Sequence, residues 1–122
     1  MKLIHTENAP AALGPYSQAY ISSGFLFASG QTGIDPKTGA VGSDVVSQAE
    51  QVMKNLGAVL EAAGIDFTHA VKTTCFLADM GDFAAFNEVY GKYFTGKPAR
   101  SCVAVKTLPK NLLVEVELIA EI

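Results

Sequence analysis

The sequence predicts an α+β fold, a mostly antiparallel sheet with two helices packed on one face, and three observations lead there. Runs such as Ala99 to Val105 and Val114 to Ile122 alternate with a period of two, the mark of half-buried strands. Two longer stretches, starting near Asp44 and Asp82, repeat their apolar residues with a period near 3.6 and predict amphipathic helices. The elements follow one another as strand, hairpin, helix, strand, helix and strand pair, without an internal repeat or a low-complexity segment.

In chain order, Met1 to His5 predicts a short first strand, and Asn8-Ala9-Pro10 with Gly14-Pro15 then breaks regular structure into an ordered loop that aims Tyr16. Gln18 to Ile21 and Phe25 to Ala28 predict a hairpin turning at Ser22-Ser23-Gly24, after which Ser29-Gly30-Gln31-Thr32-Gly33 is expected to leave the sheet. Asp35-Pro36-Lys37-Thr38-Gly39 has turn chemistry. Asp44, or Ser43 beside it, caps a helix whose apolar face is Val45, Ala49, Val52, Met53, Leu56, Val59, Leu60 and Ala63, ending at Gly64. Gly57 inside it predicts close packing against a strand. Ala70 to Ala78 is a strand with Val71, Thr73, Cys75 and Leu77 on one face, and Asp82 caps a second helix whose Phe83, Phe86, Tyr90 and Phe94 form a core stripe. The last two runs are expected to form an antiparallel pair joined by a Pro-containing loop. Arg100, Cys102 and Ala104 then share a side, Glu115 and Glu117 form a polar row, and a guanidinium and a carboxylate can meet on one face.

A chain of 122 residues fits one domain, 1–122, burying roughly 65% of its unfolded surface. It is 49% hydrophobic and 17% charged, against about 25% charge in a typical domain. The surplus apolar surface predicts a subunit interface, because no run approaches the ~20 apolar residues of a membrane span. The first residues lack the pattern of a secretory signal, which predicts a cytoplasmic protein. Cys75 and Cys102 belong to no CxxC pair or zinc-spaced cluster, so neither a disulfide framework nor a metal site is expected. Net charge of -3 argues against a nucleic-acid binder that tracks a phosphate backbone.

The segment Pro98-Ala99-Arg100-Ser101-Cys102-Val103, with Lys106, Leu108 and Val114-Glu115-Val116, resembles the signature of the RidA (YjgF-type) reactive enamine/imine deaminase family. The run from Ala9 to Ala19, containing Gly14-Pro15-Tyr16-Ser17-Gln18, and Ala28-Ser29-Gly30-Gln31 extend the resemblance over nearly the whole chain. Val116 stands where the family usually has Ile or Met, a change that keeps an apolar strand residue.

The resemblance implies a chorismate-mutase-like homotrimer around a central barrel, with clefts between subunits. It implies hydrolytic deamination of 2-imino acids such as 2-iminobutanoate and 2-iminopropanoate, which are released by pyridoxal-phosphate-dependent dehydratases. Arg100, Glu115 and Cys102 match the family's catalytic positions: Arg100 for the substrate carboxylate, Glu115 for the attacking water, and Cys102 through its backbone groups. Tyr16, Ser29, Gly30 and Asn87 match its substrate-binding positions, with no metal or cofactor. Each has a plainer reading: a surface Arg, an edge-strand Glu, a buried strand thiol, a packed loop ring, a strand cap, a turn glycine and an exposed helix amide. Two rivals use the same clefts: a 2-oxo acid-binding regulatory or chaperone-like protein without turnover, and an endoribonuclease.

Overall fold

The computed structural model describes residues 1–122. Its strands are β1 (Lys2–Ile4), β2 (Ala19–Ser22), β3 (Phe25–Thr32), β4 (Ala70–Leu77), β5 (Ala99–Ala104) and β6 (Val114–Glu121), and its helices are α1 (Val45–Ala62) and α2 (Phe83–Tyr93). All six strands form one sheet in the order β1-β2-β3-β6-β4-β5, antiparallel except for β4 and β5. α1 packs on β3 and β6, and α2 packs on α1, which confirms the α+β expectation of two helices on one side.

Alternation along β6 builds the core. Val114, Val116, Leu118 and Ala120 are all buried, whereas Glu117 and Glu121 are exposed on the other face. Against this row lie Val52, Met53, Leu56 and Leu60 of α1 and Phe86 of α2, each with no exposed surface. Each such Val, Leu or Phe side chain contributes roughly 1.5–3 kcal/mol on burial. The stripe on α2 is core as expected: Tyr90 stacks on Phe94 with ring centroids 4.4 Å apart.

The final strands differ from their expected pairing. β5 and β6 are not neighbours; β4 lies between them, parallel to β5 and antiparallel to β6. A parallel pair needs a long crossover, and α2 supplies it between β4 and β5. β6 then returns to the centre, where both its edges are hydrogen-bonded and its apolar row lies under the helices.

Four smaller expectations are also corrected. β3 does not end at Ala28 but runs to Thr32 through a bulge, in which Ser29 and Gly30 oppose Glu117 alone. A register shift at Ala70/Lys72 turns Val71 outward, leaving it 43% exposed, while Thr73, Cys75 and Leu77 are buried. Gly57 makes room for Phe67, in a 3-10 turn, rather than for a strand. Asp82 makes no capping bond; Asp79 instead accepts from Gly81 N in the 3-10 turn that leads into α2. Asp44 does cap α1, accepting from Ser47 N at 2.8 Å, and the hairpin turns through Ser23 and Gly24, both at positive φ.

Three buried carboxamides hold the loops. Gln18 accepts from Thr6 N at 2.8 Å and donates to Thr6 O, Ala9 O and Pro10 O, fixing the segment before Tyr16. Gln48 donates to Gly42 O and accepts from Leu113 N, tying α1 to the residue before β6. Asn55, with no exposed surface, donates to Thr32 O and Ile34 O, both at 2.9 Å, and accepts from Gln51. Removing a buried donor strands the carbonyls it served, at about 1–3 kcal/mol each. Asn55→Ala is expected to lower unfolding stability by about 2–4 kcal/mol. A urea titration checks this as a fall in midpoint at unchanged slope.

Candidate active site

The site residues are best placed by asking which face of the sheet each occupies. Cys75 is in register with both Cys102 on β5 and Val116 on β6, and Cys75 and Val116 are fully buried under the helices. Arg100, two residues before Cys102, therefore points to the helix side. Glu115, one residue before Val116, points to the other side, opposite Phe76. Within one chain the guanidinium and the carboxylate lie on opposite faces, so the expected meeting on one face does not occur. Strand alternation is the cause, once β5 and β6 are locked to the same strand.

On the helix side, Arg100 lies over α2. Its Nη1 donates to Asn87 Oδ1 at 2.7 Å, and its Cζ is 4.7 Å from the centroid of Tyr90 and 5.4 Å from that of Phe83. It is the only arginine in the chain. The chain's ion pairs join His69 to Asp66 and Lys92 to Glu50, so no carboxylate neutralises Arg100. A groove of about 480 Å3 opens beside it, lined by Tyr90, Gly91, Phe94, Thr95, Lys97 and Pro98.

On the outer side, Glu115 joins Tyr16 and Gly30 in lining a cavity of about 370 Å3, with apolar walls that include Leu13, Ile34 and Leu112. Gly30 is required by proximity: a Cβ there would stand 2.8 Å from Cδ of Glu115. Tyr16 is held by a bond from its N–H to Gly14 O at 2.8 Å and leaves its ring 57% exposed. Ser29 lies beside this group in the bulge, where its hydroxyl donates to Ser17 O at 2.6 Å and braces the loop bearing Tyr16. Burial first, and the neighbouring Glu117 second, raise the pKa of Glu115 above the usual carboxylate value. Such a shift moves a carboxyl towards the range in which it can both give and take a proton near neutral pH.

Cys102 packs half-buried beside Cys75. Burial raises both thiols, Cys75 to about 12, while the Arg100 charge opposes the rise at Cys102. Burial thus disfavours the thiolate at both positions, so neither is an activated nucleophile. Arg100 and Asn87 thus form one cluster and Tyr16, Ser29, Gly30 and Glu115 the other. Phe83 and Tyr90 were assigned by sequence to the core alone; their spacing from Asn87, at i-4 and i+3 on one helix face, is the signal that places them at Arg100. Gln18 and Asn55 carry no such pattern.

A family model described as Endoribonuclease L-PSP matches residues 6–122. The mouse protein named 2-iminobutanoate/2-iminopropanoate deaminase is 51% identical over 121 residues, covering 98% of this chain and 90% of its own. A Lactococcus lactis protein named as a regulator, AldR, is 52% identical over 124 residues, covering 100% and 98%. Among solved structures, the yjgF gene product of E. coli superposes with a TM-score of 0.95 at 46% identity, covering 99% of this chain and 98% of that one.

The raised pKa of Glu115 has a signed consequence. Folding disfavours its ionised form, so the cost is absent below the unfolded carboxyl pKa of about 4.3 and grows as pH rises through the folded value. Glu115→Gln is expected to raise the melting temperature at neutral pH, with the gain vanishing as pH falls towards 4. Thermal melts of both proteins across that range measure it; a gain that persists at pH 4 contradicts the assignment.

Proposed function

Since the chain belongs to the Endoribonuclease L-PSP family, the YjgF/RidA group, we propose that it hydrolyses short 2-imino acids and their enamine tautomers, such as 2-iminobutanoate and 2-iminopropanoate, to 2-oxo acids and ammonia. The observation that carries this reading is Arg100: a half-buried guanidinium, braced by Asn87 and unmatched by any carboxylate of its own chain. A planar fork of this kind binds a carboxylate through two charge-assisted hydrogen bonds. The family relatives named as deaminases support the choice of ligand.

In this reaction the substrate carboxylate binds Arg100, and the Cys102 backbone faces the imine nitrogen. Glu115 takes a proton from water as the new C–O bond forms at the imine carbon. That proton passes to nitrogen as the C=N electron pair moves there, giving a carbinolamine. The carboxylate then takes the carbinolamine hydroxyl proton as the C=O bond forms and delivers it to nitrogen as the C–N bond breaks, so water and imine become oxo acid and ammonia. Free imines also hydrolyse unaided, and a site that only orients and polarises is sufficient.

Because Arg100 and Glu115 lie on opposite faces, a working site requires two copies. We assign the assembly as a cytoplasmic homotrimer with a central barrel, in which the Glu115 cavity of one subunit meets the Arg100 groove of the next. The outer sheet face, with Phe27, Val71 and Val103 each more than 40% exposed, supplies apolar surface for such contacts. No helix is long and apolar enough to cross a membrane. The imines are products of pyridoxal-phosphate-dependent dehydratases, which makes such enzymes the functional partners.

The test couples a threonine dehydratase to this protein with semicarbazide present to trap free imine, and follows 2-oxobutanoate. Wild type is expected to accelerate its formation, Cys102→Ser to retain activity, and Arg100→Ala to lose it at least 100-fold while keeping fold and assembly. An active Arg100→Ala removes the anchor from the mechanism. The relative named as a regulator favours one second reading, a 2-oxo acid sensor without turnover. Calorimetric binding of 2-oxobutanoate with no acceleration of hydrolysis supports the sensor instead. RNA cleavage, suggested by the family description and by two similar solved structures that carry the endoribonuclease name, is tested on the same preparations and is expected to be absent.

A further inference from the structure

We infer that Tyr90, together with Phe83, is a positioning residue for Arg100, an aromatic bracket that holds the guanidinium in one plane while leaving one of its edges open for a carboxylate. The inference rests on the deaminase reading for the identity of that carboxylate, but the bracket itself is a matter of geometry. Phe83, Asn87 and Tyr90 occupy positions i, i+4 and i+7 of α2 and so lie along one face. The Arg100 Cζ lies 5.4 Å from the Phe83 ring centroid and 4.7 Å from that of Tyr90, so both rings are within cation–π reach of the one guanidinium. Asn87, midway between them, takes Nη1.

The bracket is itself fixed. The Tyr90 hydroxyl is 2.7 Å from Thr73 Oγ1, and Thr73 is fully buried on β4 in direct register with Arg100. Tyr90 also stacks on Phe94. One short circuit thus runs from Arg100 across the sheet to Thr73, out to Tyr90 and back to Arg100.

Aromatic partners matter here for what they do not do. A carboxylate in their place would steady the charge by occupying the N–H donors, and substrate would have to displace it. A ring attracts the cation through its π face and consumes no donor. The guanidinium stays charged and oriented, with one edge spent on Asn87 and the other free.

Because Arg100 is the only arginine, 15N-arginine labelling yields a single guanidinium to observe by NMR in the intact protein. In wild type its Nε–H proton is expected upfield, shifted by the rings, with slowed rotation about the Cζ bonds. Tyr90→Phe keeps the ring and is expected to preserve both features and a KM for imine within about threefold of wild type. Tyr90→Leu is expected to release the rotation and to raise KM, and the Kd for 2-oxobutanoate, about tenfold with kcat within twofold. If Tyr90→Leu does not fold, Phe83→Leu at the more open end of the bracket carries the same comparison. A freely rotating guanidinium in wild type overturns the inference. So does a leucine variant whose KM matches the phenylalanine variant, even in a protein that hydrolyses imines well. A restrained guanidinium in a wild type that neither binds 2-oxobutanoate nor hydrolyses imines removes the deaminase reading, and the carboxylate role of the open edge with it.

Discussion

The two-residue period of β6, clamped on both sides by hydrogen-bonded neighbours, is the constraint on which the rest of this structure depends. Once Val114, Val116, Leu118 and Ala120 are committed to the core, Glu115 has no choice of face. The same register passes through Cys75 to β5 and commits Arg100 to the helix side. One decision about burial thus separates the chain's sole guanidinium from its half-buried carboxylate. The two groups therefore face different surroundings within one subunit, and the exposed apolar residues of the outer face follow from the same alternation. Helices cover the sheet on one side alone, which leaves Phe27, Val71 and Val103 exposed on the other.

The loops answer a different constraint. Irregular backbone cannot satisfy its own polar groups, and where it is drawn against a core those groups need partners. Gln48 and Asn55 supply them from α1 and Gln18 from the residue before β2, and the loops they hold form walls of the Glu115 cavity. The bulge at Ser29 and Gly30 serves the same end, prolonging β3 past its bend so that Thr32 lies in register with Glu115.

Much of this was legible in the residues. Both helices, the hairpin and the existence of every strand followed from period and turn chemistry, because those signals are local. Strand order did not, since β5 and β6 look equally able to pair with each other. Only the crossover through α2 and the doubly flanked position of β6 decide it. The residues matching the family's signature were identifiable, yet which of them share a face was misread, because that depends on the strand lying between β5 and β6. Tyr90 was read as core and is core; that its ring also lies against Arg100 depends on a side chain ten residues away, which a helical period cannot reveal. The carboxamides were missed for the converse reason: a buried Gln or Asn has no periodic signature.

The parity of β6 also limits how such a protein can change over generations. Substitution at 115 or 100 alters chemistry one side chain at a time, but a single-residue insertion or deletion within β6 that no bulge absorbs would exchange its two faces beyond that point, burying glutamates and exposing valines. Changes of length are therefore best tolerated outside the ladder, in segments such as the turn from Asp35 to Gly39 and the connection from Thr95 to Lys97. Of these, Asp35 and Gly39 line the Glu115 cavity, and Thr95 and Lys97 line the Arg100 groove. Descendants of this chain can reshape the approaches to the site by lengthening loops while the spacing of its reactive groups stays fixed.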